Sequence, residues 1–126
     1  MIRVLCVFGT RPEVVKMAPV VWELQKHPGL FEVRTCATAQ HRGLLDQMLT
    51  TFHIQPDIDL DLMRAGQTPN QLASRVLAAI ETVLQSERPD WVLVQGDTTT
   101  VLSSAMAAYH SQVKIGHVEA GLRTWD

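Results

Sequence analysis

Val4-Leu5-Cys6-Val7-Phe8-Gly9-Thr10-Arg11-Pro12-Glu13 is the stretch that decides the fold class. Its continuous apolar, β-prone start describes a strand covered on both faces, because a strand with one solvated face would alternate. Thr10 and Glu13 follow at the T-x-x-E spacing of a capping box, which predicts a helix beginning at once. Val14, Met17, Val21 and Leu24 then fall on one helical face, the stripe of a helix packed on a sheet. Pro19 lies inside that helix, so a kink or restart is expected there.

The same alternation extends outward along the chain. Phe31 to Thr38 reads as a second strand, and Leu44, Leu45, Met48, Leu49 and Phe52 space as a short amphipathic helix. Asp57, Asp59 and Asp61 alternate with Ile58, Leu60 and Leu62, which predicts a short half-exposed strand near a sheet edge. Thr68-Pro69-Asn70-Gln71 forms a second capping box with proline at the first helical position. Leu72, Val76, Ile80, Val83 and Leu84 continue that helix to a stop at Arg88-Pro89. Trp91 to Val94 is a buried strand, Thr99 to Tyr109 an alanine-rich helix, and Val113 to Val118 a last strand. Strands alternating with helices, without repeats or an interior linker, predict α/β architecture: a doubly wound parallel sheet with right-handed crossovers. Ligands of such sheets bind beyond the carboxyl ends of the strands.

Composition narrows the function classes. The 126 residues make one domain's worth of chain, with 46% hydrophobic and 19% charged residues. A net charge of −2 argues against a partner held by bulk positive charge, so no nucleic acid is expected. Any anion must be recognised by a few placed cations. Cys6 and Cys36 sit inside strands and form no C-x-x-C pair, as expected of buried thiols in a reducing compartment. The apolar run near Met1 is too short for a signal-peptide core or a membrane span, so a cytoplasmic protein without a membrane partner is expected.

Polar groups gather after three strands: Arg11 and Lys16 after the first, Gln95-Gly96-Asp97-Thr98 after the fourth, and Glu119 after the fifth. Cations at a helix start oppose the helix dipole unless an anion lies between them. Arg11 and Lys16 are therefore either phosphate contacts or solvated surface charges. Asp97 is either an N-cap, competing with Thr98 and Thr99, or a site carboxylate. Glu119 precedes Ala120-Gly121 with no obvious helix to cap, and together the two carboxylates suit divided general acid and base work. His117-x-Glu119 is only a two-ligand fragment, without the PCxxC partner of zinc deaminases or an HExxH motif, so no metal is expected.

These blocks together resemble the non-hydrolysing UDP-N-acetylglucosamine 2-epimerases. The likeness runs through Gly9-Thr10-Arg11-Pro12-Glu13 with Lys16-Met17-Ala18-Pro19, then Thr38-Ala39-Gln40-His41-Arg42 and Leu45-Asp46-Gln47. It continues through Gln95-Gly96-Asp97-Thr98-Thr99-Thr100 and closes with Gly116-His117-Val118-Glu119-Ala120-Gly121-Leu122-Arg123-Thr124. The resemblance implies two Rossmann-like domains facing across a cleft, the glycosyltransferase-B arrangement, with residues 1–126 forming most of the first and the UDP-binding second domain lying elsewhere. It implies interconversion of UDP-GlcNAc and UDP-ManNAc at C2 by loss and re-addition of UDP, with no NAD or metal cofactor. That activity would supply ManNAc for cell-envelope polysaccharide synthesis.

By the same resemblance Asp97 and Glu119 are catalytic and substrate-binding, and Arg11 and Lys16 bind substrate near its phosphates. Gln40 and His41 match a possible activator site, although Gly43 and Gly66 stand where activated members carry polar or charged side chains. A homodimer is implied as well, and a stretch of this length would be inactive alone. Two other readings stay open: a non-catalytic interaction or dimerisation half-domain, and a hydrolysing or related nucleotide-sugar 2-epimerase.

Overall fold

A computed structural model describes residues 1–38 and 42–119, apart from the side chains of Arg42 and Leu44. The chain alternates β1 (Ile2–Phe8), α1 (Arg11–Gln25), β2 (Phe31–Ala37), α2 (Arg42–Thr51), β3 (Ile58–Asp59), α3 (Pro69–Glu87), β4 (Trp91–Gln95), α4 (Thr99–His110) and β5 (Lys114–Val118). The strands form one parallel sheet in the order β3-β2-β1-β4-β5. The expected doubly wound α/β architecture is therefore present. Strand order reverses between β1 and β4, the switch point at which loops diverge and leave a crevice.

Each face of the sheet has its own core. Leu5, Val7, Val92 and Val94 pack against Val76, Ile80 and Leu84 of α3 and Val101 and Ala108 of α4. Val4, Cys6 and Phe8 face the opposite way, onto Val14, Met17 and Val21 of α1 and Leu45 and Leu49 of α2. Burial on both sides explains why β1 is continuously apolar. Cys6 and Cys36 belong to opposite cores and are both free thiols. Burial pushes each thiol up to about 12.

Local signals decide most boundaries. Thr68 closes the predicted capping box, accepting the Gln71 N–H at 3.1 Å while Gln71 accepts the Thr68 N–H at 2.8 Å. Helix α3 ends at Arg88, whose φ of 48° is left-handed. The aspartate-alternating segment is strand at Ile58–Asp59, on the sheet edge beside β2 as its half-exposed period suggests, and Leu60 and Leu62 go on donating to the Ala37 and Thr38 carbonyls. Helix α1 runs unbroken through Pro19, against the expected restart. Pro19 and Val15 are both exposed, so the Val15 carbonyl that loses its helical partner lies on the solvent side. Among the described residues no helix is long and apolar enough to cross a membrane.

Candidate functional site

The carboxyl ends of β1, β4 and β5 lie side by side, and each carries polar groups. After β1, Thr10 takes the N-cap position of α1 in an extended conformation, but its side chain does not cap the helix. The expected capping box is therefore incorrect at this position. The Thr10 hydroxyl instead donates to the Glu13 carboxylate, which also accepts the Gly9 N–H at 3.3 Å and the Thr98 hydroxyl at 3.3 Å. Glu13 is 1% exposed and stands one turn before Met17, on the buried face of α1. Burial pushes its pKa upward, opposed by the hydrogen bonds from Thr10, Gly9 and Thr98 that favour the anion.

Gly9 sits where three elements converge. A Cβ there would fall within contact distance of Thr38 Oγ1 and 2.9 Å from Thr100 Oγ1. Those two hydroxyls are buried and hydrogen-bond each other at 3.3 Å, tying the end of β2 to the first turn of α4 beneath the β1 loop. Close approach, rather than backbone freedom, is what requires glycine at this position.

After β4 the backbone turns at Gly96, with φ of 88°, a left-handed conformation in which a side chain would be strained. Thr98 is the N-cap of α4 and accepts the Val101 N–H at 3.4 Å. Of the three candidate caps Thr98 is the one used, and Asp97 is left as an exposed side chain at the turn. On β5, His117 stands opposite Val94 in the parallel register. Its Nε2 lies 2.7 Å from the Gly96 carbonyl and 4.0 Å from a Glu119 carboxylate oxygen. A carbonyl only accepts, so the proton of that bond is on Nε2.

Asp97, Thr98 and His117 border a cleft of about 420 Å³, walled by Val94, Val101, Leu102, Ala105 and Ile115. A larger groove, about 600 Å³, runs between α3 and α4 past Ala73, Leu77 and Ala107, away from the strand ends. The polar groups of the strand-end cleft come from the β4–α4 turn, Asp97 and Thr98, and from His117 of β5. A turn carrying an exposed carboxylate beside mainly apolar walls suits a ligand with both polar and apolar parts.

Residues 22–126 match the family model described as UDP-N-acetylglucosamine 2-epimerase. The chain belongs to the UDP-N-acetylglucosamine 2-epimerase family. A UDP-N-acetylglucosamine 2-epimerase of Yersinia pestis is 53% identical over 124 residues, covering 98% of this chain and 33% of the relative. The structure of UDP-GlcNAc 2-epimerase from Neisseria meningitidis bound to UDP-GlcNAc superposes with a TM-score of 0.90 at 46% identity, over 99% of this chain and 33% of that one. The Methanocaldococcus jannaschii UDP-GlcNAc 2-epimerase in complex with UDP-GlcNAc and UDP gives a TM-score of 0.88 at 33% identity, over 99% of this chain and 34% of that one. The chain thus spans about a third of the length of the epimerases it matches.

Within the epimerase-family fold, Arg11 is the first residue of α1 and Lys16 lies further along it, both exposed. Asp97 and Glu119 stand at the ends of the adjacent strands β4 and β5. Gln40 and His41, together with residues 120–126, lie outside the described residues. The sequence reading missed that Glu13 and Thr98 join two of these loops. One signal was available: Glu13, Met17 and Val21 recur every four residues, which places Glu13 on the core face of α1.

Proposed function

We propose that this chain is the first Rossmann-like domain of a two-domain enzyme interconverting UDP-GlcNAc and UDP-ManNAc. The carrying observation is the gathering of Arg11, Asp97 and Glu119 at the carboxyl ends of three strands flanking the switch point, on an epimerase-family fold. Arg11 and Lys16 face the diphosphate, where cations stabilise the departing UDP. Asp97 and Glu119 handle the proton at C2, one face of the sugar each, as UDP leaves and adds back. The overall reaction is a balanced isomerisation: UDP leaves and returns, and the proton lost from one face of C2 is replaced by a solvent-exchanged proton on the other. Thr98, rather than Asp97, caps α4, which supports a role for Asp97 outside the helix.

The second domain would supply the uridine contacts, so the 126-residue chain by itself gives no turnover. The product is a source of ManNAc for envelope polysaccharide. Pairing into a homodimer is part of the same reading. Leu102, Met106 and Tyr109 leave an exposed apolar stripe along α4, which supports association.

The test is C2 deuterium incorporation into UDP-GlcNAc in heavy water, with a protein carrying this chain at the length of its relatives. The parent protein should exchange the C2 proton and form UDP-ManNAc, while Asp97→Asn and Glu119→Gln should each abolish exchange. Unchanged exchange in either variant removes that carboxylate from the mechanism. Free ManNAc with UDP as products would replace this reading with a hydrolysing enzyme. Conversion by the 126-residue chain alone would refute the need for a second domain.

A further inference from the structure

We propose that His117 and Glu13 are positioning residues that brace Asp97 from both sides, an inference that rests on the epimerase reading above. Asp97 is exposed, and Thr98 rather than Asp97 caps α4, so helix capping does not orient the carboxylate. What is fixed is the backbone on either side of it. The Gly96 carbonyl, which sets the plane of the peptide leading into Asp97, receives the His117 Nε2–H at 2.7 Å. The Thr98 hydroxyl donates to Glu13 at 3.3 Å while accepting the Val101 N–H at 3.4 Å. One brace thus comes from β5 and the other from the first turn of α1.

The two braces differ in reach. Among the described residues, the polar contacts of the His117 side chain are with the Asp97 turn and with its own neighbour Glu119. Glu13 also holds Gly9 and Thr10, the two residues immediately before Arg11. The same buried carboxylate therefore sets the Asp97 turn relative to the loop that carries the phosphate-facing cation. A displacement of about 1 Å at a reacting group costs on the order of 100-fold in rate, so a hydrogen bond of this kind is large enough to matter.

These roles predict different kinetic signatures. In a protein carrying this chain at the length of its relatives, His117→Phe should lower kcat by roughly 10- to 100-fold with KM within about threefold, because only the acid/base end moves. His117→Gln keeps an N–H near the position of Nε2 and should restore kcat to within about threefold of the parent. Glu13→Gln should lower kcat and raise KM together, because both ends lose their common anchor. A folded His117→Phe with kcat within twofold of the parent overturns the His117 brace. Equal losses in His117→Phe and His117→Gln would make the imidazole itself the acting group and also overturn it. A change in Glu13→Gln confined to the melting temperature overturns the Glu13 brace.

If the parent protein shows no epimerisation, the functional reading fails and the brace is decided on the 126-residue chain by amide NMR. His117→Phe should then shift the Asp97 amide resonance and His117→Gln should return it. Glu13→Gln should shift the Thr98 and Gly9 resonances together. Resonances unmoved by these substitutions refute the brace independently of any activity.

Discussion

Substituting Gly9 by alanine tests the packing beneath the candidate site most directly. The added methyl meets Thr38 Oγ1 and Thr100 Oγ1, so one hydroxyl must move and their mutual hydrogen bond must break. Overpacking of a close-packed core costs about 1–3 kcal/mol, and the lost hydrogen bond about 1 kcal/mol more. The sum, about 2–4 kcal/mol, corresponds to a melting temperature lowered by roughly 8–16 °C in a domain of this size. Thermal unfolding followed by circular dichroism measures it. The two sites should also be coupled: in a Thr38→Ala background, which removes the oxygen nearest the new methyl, Gly9→Ala should cost at least about 1 kcal/mol less. Strict additivity, or a Gly9→Ala melting temperature within about 2 °C of the parent, would show that the site relaxes freely.

Further expectations concern caps, titration and thiols. Thr68→Ala removes half of the capping box of α3 and should destabilise the chain by about 1 kcal/mol, read from the urea midpoint at unchanged slope. Glu13 has a pKa raised by burial, so the folded state holds its proton more tightly than the unfolded chain. The stabilisation from that proton is complete below the unfolded value of about 4.3 and is lost as pH rises through the folded value. Glu13→Gln should remove this decline from the stability–pH profile, and an unchanged slope between the two proteins would contradict it. Cys6 and Cys36 should resist a thiol reagent in the native chain at neutral pH and react on unfolding, because burial raises both pKa values to about 12. Fast labelling of the native chain would contradict their burial.

Sequence periodicity carried the architecture far because burial imposes it. The continuous apolar run of β1 reflects two covered faces, and the aspartate alternation at Asp57–Asp61 reflects the half-exposed sheet edge at which β3 pairs. Pairing order lies in contacts between remote segments, so alternation alone left β3-β2-β1-β4-β5 undetermined. Thr10 and Glu13 show the limit at the site. T-x-x-E has the same local form whether or not the threonine hydroxyl caps the helix; here that hydroxyl donates to Glu13, which also reaches Thr98, 85 residues away. Likewise Asp97, Thr98 and Thr99 were equivalent as caps until the turn at Gly96 placed Thr98 at the helix start. The requirement for glycine at position 9 was not legible locally, because it comes from the pair of hydroxyls packed against it.

The hydrogen bond from Thr98 to Glu13 also bears on how the chain folds. It joins residues 85 apart, and the one between Thr38 and Thr100 joins residues 62 apart. Closing such long loops is slow compared with forming a helix, and neither contact can exist before β4 has docked against β1. Glu13 therefore remains hydrated through the early part of folding and loses its water only when the central strands are in register. The candidate site is in this sense a late product of folding, and a chain stalled before that step would carry helices and a partial sheet but no braced turn at Asp97.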